Sequence, residues 1–284
     1  MKVLTVFLFI FPAACFSQNQ ELKVLAHNVV FGSVTAGVGA IINKKPNENW
    51  KKCFLKGCWQ GSIGGLLNYS AKKTIHFIDA KDNLAYGLPA RLIHSAGNSV
   101  IQNAASNEPF LKNWNIEYGF LRFDFAIHSP KSFKARVLPG AIGSTVMAFS
   151  HGRFDTRTTL LTGVLCFKSS ALINDIVGTH DGVNYGRAFV YYRNSPRYLH
   201  IISHEIIHEY QVREFLVLNP YFKKTAATLK DNFFKKAFTK YVYPDIPYFG
   251  LFYALEQTET GHIFRNYYEF EAERFATNRY VAVH

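Results

Sequence analysis

Two histidines four residues apart, with a glutamate directly after the first, are the side chains in this sequence best suited to chemistry. They stand in Ser195-Pro196-Arg197-Tyr198-Leu199-His200-Ile201-Ile202-Ser203-His204-Glu205-Ile206-Ile207-His208-Glu209-Tyr210-Gln211. A helix brings positions i and i+4 to one face, so the imidazoles of His204 and His208 project together. Such a pair can hold Zn²⁺ at about 2.0–2.1 Å. Glu205 then reaches a metal-bound water rather than the metal, the His-Glu-x-x-His arrangement of zinc metalloproteases. In a chain of this composition the pattern arises by chance about 2% of the time. An amphipathic helix with two surface histidines carries the same signature, so a third ligand must separate the readings.

A carboxylate is available in Asn266-Tyr267-Tyr268-Glu269-Phe270-Glu271-Ala272-Glu273-Arg274-Phe275-Ala276. On a helix Glu269 and Glu273 share a face, and Ala272 and Ala276 beside them permit close packing against the first helix. Glu269 completes a two-histidine, one-carboxylate site with an open position for water. Glu273, one turn on, is suited to orient a ligand histidine through its second ring nitrogen. A charged solvent face of Glu269, Glu271, Glu273 and Arg274 is the alternative, and Glu271 and Glu273 are the next ligand candidates. Donors for a developing oxyanion are His262, Tyr267, Tyr280 and Arg279, among which the sequence does not choose. His200 extends the histidine face and is expected to cap or pack the helix start. Gln211 and Glu209 are read as supporting or surface groups, and His180-Asp181-Gly182 as a turn.

His204-Glu-x-x-His208 followed far downstream by Glu269-x-x-Ala272-Glu273 resembles the gluzincin metallopeptidases. It is similar in particular to the membrane-linked prenyl-protein and heat-shock endopeptidase group, whose third-ligand motif reads Glu-x-x-Ala-Asp. The resemblance covers about 90 residues from Ser195 onward. It implies that His204, His208 and Glu269 bind zinc and that Glu205 is the general base. Glu273 stands where the family carries Asp. The strand Arg187–Tyr192 would match the edge strand on which such enzymes lay extended substrate.

The elements that must position these groups follow from patterning. Ser195 and Pro196 suit a helix start, a hydroxyl cap followed by a ring without N–H, and Leu199, Ile202, Ile206 and Tyr210 recur at helical spacing. Residues 22–105 read as helices rich in small residues. Val24–Ile42 contains Gly32, Ala36, Gly37, Gly39 and Ala40; Phe54–Ala71 contains Gly57, Gly61, Gly64 and Gly65; Leu88–Ala105 follows. Small residues three or four apart let helices approach closely, in membranes or in a soluble core. Membrane association through residues 24–71 is one reading, against which His27, Asn28, Lys56, Gln60 and Asn68 weigh. Between Trp114 and Ser169 short β-branched and aromatic runs separated by Pro, Gly or Ser read as antiparallel strands, at Glu117–Phe125, Ala135–Leu138, Ser144–Phe149 and Thr158–Phe167.

The expected class is α+β: glycine-rich N-terminal helices over 18–112, an antiparallel β region over 113–194, and zincin-like catalytic helices over 195–284, with 113–284 open to being one domain. Residues 1–17 read as a secretory signal, with Met1-Lys2, an apolar run and Pro12-Ala13-Ala14-Cys15-Phe16-Ser17. Lipid attachment at Cys15 is the minor alternative. Export leaves Cys53, Cys58 and Cys166, an odd number; Cys53 and Cys58 can bridge or remain buried thiols. The net charge of +12 among 284 residues excludes an acidic solvating chain. The lysine pairs are scattered, so no nucleic-acid surface is expected. The expected function is an exported zinc-dependent peptidase acting on peptide or protein substrates. An envelope-associated structural or binding protein that keeps the zinc site without turnover is the alternative.

Overall fold

The computed structural model describes residues 20–127, 133–174, 178–228, 231–260 and 266–276. The leader at 1–17, Cys15, His262, Arg279 and Tyr280 lie outside the described residues. The chain has an α+β fold.

The small-residue segments form helices α1 (Gln20–Ile42) and α2 (Trp50–Ala80). Asn49 caps α2, its side-chain oxygen accepting from the backbone N–H groups of Lys51 and Lys52. The two helices meet backbone to backbone. A Cβ on Gly61 would lie 2.1 Å from the Gly32 carbonyl oxygen, and one on Gly65 2.2 Å from that of Asn28. Helix α3 (Gly87–Ala105) closes on α2 in the same way, a Cβ on Gly97 meeting Asn68 Oδ1 at 2.1 Å. The small-residue faces are thus turned toward one another. Helix α1 is, among the described residues, the one helix long and apolar enough to cross a membrane by length and composition, and 44% of its apolar window is buried. Cys53, Cys58 and Cys166 are buried free thiols. A Cys53–Cys58 bridge is not formed, because five residues along a continuous helix turn the two side chains about 140° apart.

The middle of the chain is less uniformly β than its patterning suggests. Strands β1 (Asn113–Tyr118), β2 (Leu121–Ala126) and β3 (Lys134–Val137) make an antiparallel meander. Ser144–Phe149, expected as strand, belongs to helix α4 (Pro139–Phe149), which starts on Pro139. Thr158–Thr162 likewise lies in helix α5 (Thr156–Thr162), capped by the Asp155 carboxylate and ended by Gly163 at φ +70°. The second sheet runs β4 (Arg153–Phe154), β5 (Leu165–Ser169), β9 (Ala188–Tyr192), β8 (Gly182–Asn184), and β6 (Ile173–Asn174) pairs with β7 (Thr179–His180). Strand β5 runs parallel to β9, so the expectation of a purely antiparallel region is corrected to a mixed sheet. The expected edge strand Arg187–Tyr192 is β9, an interior strand whose residues 188–191 are buried. The edge is β8.

Helix α6 (Tyr198–Glu214) carries the histidine motif and is buried along nearly its whole length. It begins two residues later than expected: the Ser195 hydroxyl accepts from the Arg197 N–H in a preceding turn rather than capping the helix. A 3₁₀ segment (Phe215–Phe222) and helices α7 (Lys223–Thr228), α8 (Phe233–Tyr241), α9 (Tyr248–Thr260) and α10 (Tyr267–Ala276) follow. Ala272 and Ala276 are fully buried, and α10 packs against α6 there. One core holds Val24 of α1, Ile75 of α2, Ala90 of α3, Phe189 of β9, Ile202 and Ile206 of α6, and Phe275 of α10. Residues from all three expected regions therefore meet in this one core.

Candidate metal centre

The packing of α10 on α6 brings three ligand atoms to one point. His204 Nε2 and His208 Nε2 are 3.0 Å apart, and Glu269 places Oε2 3.3 Å from the first and Oε1 3.4 Å from the second. Ligands about 2.0–2.1 Å from a tetrahedral Zn²⁺ stand about 3.3–3.4 Å from one another. The two-imidazole, one-carboxylate donor set fits that ion, with one ligand atom from each residue within 4.8 Å of the others and all three residues lining the cleft.

His204 and Glu269 shift one another's pKa values. Burial by itself lowers the His204 pKa, but the neighbouring carboxylates of Glu269 and Glu273 outweigh it and hold the ring's pKa up at about 10. Burial raises the Glu269 pKa, yet the two imidazoles bring it far below the usual carboxylate range. Glu205 is different. Burial pushes its pKa up, only partly offset by His204 and His208. Its main-chain carbonyl accepts from Asn184 Nδ2 of β8 at 2.8 Å, and Gly182 packs against its carboxylate, where a Cβ would come within 2.7 Å of Oε1.

Glu273 sits as expected beside the first histidine, its Oε2 3.6 Å from His204 Nδ1, an ion-pair rather than hydrogen-bond distance. The same oxygen is 3.2 Å from His200 Nε2. His200 is thus paired with Glu273 at the cleft wall, where capping or packing of the helix start was expected. Glu271 points the other way and is no rival ligand. Its carboxylate accepts from Lys72 Nζ at 2.8 Å, Gln211 Nε2 at 2.9 Å and Asn28 Nδ2 at 2.6 Å. Gln211 Oε1 in turn accepts from His208 Nδ1 at 2.8 Å, which leaves Nε2 of that ring as the ligand nitrogen. The glycine-rich helices therefore reach the site: Asn28 of α1 and Lys72 of α2 hold the carboxylate that holds Gln211. Glu209, on the opposite side of α6, is buried in ion pairs with Arg91 and Arg187.

The site lies in a cleft of about 1130 Å³ between α6, the edge strand β8, α9 and α10. Of the donors proposed for an oxyanion, Tyr267 is corrected. Its ring packs on His27 and its hydroxyl is buried without a hydrogen-bond partner among the described residues, away from the cleft. Tyr253 of α9 lines the cleft instead and donates to Glu269 Oε1 at 2.7 Å. Burial and then Glu269 raise its pKa well above the usual phenol range, so it remains a donor at neutral pH. Nothing in the residues around Tyr253 marks it in advance, because it lies in no motif and is placed by helix packing. His180-Asp181-Gly182, read as a turn, passes from β7 to β8 and lines the cleft. Comparison of the chain with protein-family models, with curated proteins and with solved structures finds no match.

Proposed function

We propose that this chain is an exported zinc-dependent metallopeptidase of the gluzincin type, with His204, His208 and Glu269 holding the metal and Glu205 as general base. The observation that carries the reading is the convergence of the three ligand atoms, all within 4.8 Å of one another, at a cleft that also holds Glu205. The apolar leader at 1–17 supports export.

Bound Zn²⁺ would supply Lewis acidity and a water of lowered pKa. The chain's own groups do the rest. Glu205, its basicity raised by burial, takes a proton from the attacking water and returns it to the leaving amine. Tyr253 turns its single O–H from Glu269 Oε1 to the substrate carbonyl oxygen as charge develops there. Strand β8 ends its sheet beside the cleft, so an extended peptide can lie along it. Glu273 and Gln211 keep the imidazoles oriented.

The test is a digest of a broad peptide library by the zinc-loaded protein, together with metal analysis. Cleavage is expected to fall by about 10²–10⁴ in Glu205→Gln with zinc retained, and zinc is expected to be lost in Glu269→Ala. Zinc-loaded wild type that cleaves nothing would point to a metal-holding envelope or binding protein. Undiminished zinc in Glu269→Ala would mean that another residue is the third ligand.

A further inference from the structure

The α1–α2 hairpin has two faces of opposite character. Its inner face carries the glycines and the polar groups: Asn28, Gln60, Asn68 and Lys72 are all buried. Its outer surface is apolar. Val34, Val38 and Ile42 follow one another at four-residue spacing on the side of α1 away from α2, and Leu55, Trp59 and Leu66 form a separate stripe along α2. Trp59 and Trp50 are 62% and 52% exposed, too much for indoles that belong to the core.

Charge is concentrated at one end of the α2 stripe. Between Ile42 and Lys56 stand Lys44, Lys45, Lys51, Lys52 and Lys56 against one acid, Glu48. Glu48 is already engaged, accepting from the Lys45 N–H and Asn107 Nδ2. Lys45, Lys51, Lys52 and Lys56 are exposed, and Lys51 Nζ lies over the Trp50 ring at 5.6 Å. Exposed tryptophans beside an aliphatic stripe with lysines at its end suit the boundary between headgroups and acyl chains. The lysines select for anionic lipid. No carboxylate other than Glu48 occurs from Val34 to Leu66, so a second copy seated here brings nothing to balance them.

We propose that the exposed face of α2 docks this protein on an anionic lipid bilayer, with Leu55, Trp59 and Leu66 entering the interface and Lys45, Lys51, Lys52 and Lys56 facing the headgroups. Docking here is peripheral. Neither helix is free to cross the bilayer, because Asn28 and Lys72 are bonded to Glu271 in the interior. The inference is independent of the peptidase reading.

The test is co-sedimentation of the purified chain with vesicles of phosphatidylcholine and phosphatidylglycerol at 3:1, and with pure phosphatidylcholine. Binding is expected to the anionic vesicles, with a blue shift of tryptophan emission that is reduced in Trp59→Ser. Leu55→Ser with Trp59→Ser is expected to raise the half-saturating lipid concentration at least tenfold. Lys51→Gln with Lys52→Gln and Lys56→Gln is expected to reduce binding to that on neutral vesicles. All five positions are exposed, and circular dichroism and the thermal transition check that the fold is kept. Val146→Ser with Met147→Ser, on the exposed apolar face of α4, is expected to bind like wild type. Wild type that ignores anionic vesicles overturns the proposal, as does an equal loss in the α4 variant. Light scattering that shows a dimer dispersed by Leu55→Ser with Trp59→Ser, without vesicle binding, would assign the face to a second copy instead.

Discussion

At the scale of single residues, the metal centre proposed above would set a proton and a metal in competition for His204. With its pKa raised to about 10, that ring holds a proton throughout the neutral range unless a cation displaces it. Metal ligation requires the neutral ring, so the apparent zinc affinity should rise with pH, by up to about tenfold per unit, and level off near pH 10. Titration against a chelator of known affinity between pH 6.5 and 9.5 measures this; a flat profile would contradict the site. Tyr253→Phe should leave KM little changed while kcat falls by about 10²–10³, because its O–H turns to the substrate oxygen as charge develops there, with only a small effect on zinc from the lost hydrogen bond to Glu269. His204, Glu205 and His208 could be found from spacing alone, because one helical turn is a local rule. Tyr253 could not, and Gln211 could be read only as a supporting or surface group, since each matters through a partner 16 or 60 residues away, Glu269 and Glu271 respectively.

At the scale of elements, the glycines of α1, α2 and α3 do what their spacing implies. Gly61→Ala would drive a methyl to 2.1 Å from the Gly32 carbonyl oxygen, forcing the helices apart. A loss of about 1–3 kcal/mol is expected from chemical denaturation. Gly143→Ala on α4 meets nothing within 4 Å and should stabilise by about 0.5–1 kcal/mol, the difference in helical backbone freedom. The helices at 20–105 were legible because glycine and alanine recur with helical period. The run Ser144–Phe149 misleads, since a short apolar segment with a β-branched residue reads equally as strand, and only Pro139 hints at a helix start. That β9 is interior and β8 the edge also escapes local patterning. It follows from the parallel pairing of β5 with β9, across 23 residues.

At the scale of the whole molecule, two buried charge networks tie the regions together. Lys72 of α2, with no exposed surface, bonds Glu214 of α6 and Glu271 of α10. Glu117 of β1 is enclosed by Arg122, Arg187 and Arg213, from β2, the approach to β9, and α6. Removing the cation in Lys72→Met leaves two carboxylates facing one another without water, for an expected loss of about 3–5 kcal/mol. Lys72→Arg should recover part of it. If the network also steadies His208 through Gln211, Gln211→Ala should weaken zinc binding by about 10–100-fold while the melting temperature moves less than in Lys72→Met. Burial tends to raise the Glu117 pKa, but the three arginines bring it well below the ordinary value. Its contribution is therefore complete above the unfolded carboxylate range and declines as pH falls through the folded value.

Sequence by itself marked the candidate ligand pair and the close-packed helices, since both rest on periodicity within one element. It also marked Glu269 and Glu273 as one face of a helix. Tertiary packing alone decided that this face, rather than the one bearing Glu271, meets the histidines. The same packing turned Tyr267 inward and Tyr253 toward the cleft, and set Lys72 from the glycine-rich hairpin behind the metal ligands. The physical reason is that helical period tells which side chains point together, whereas what they point at depends on how distant segments bury their apolar faces.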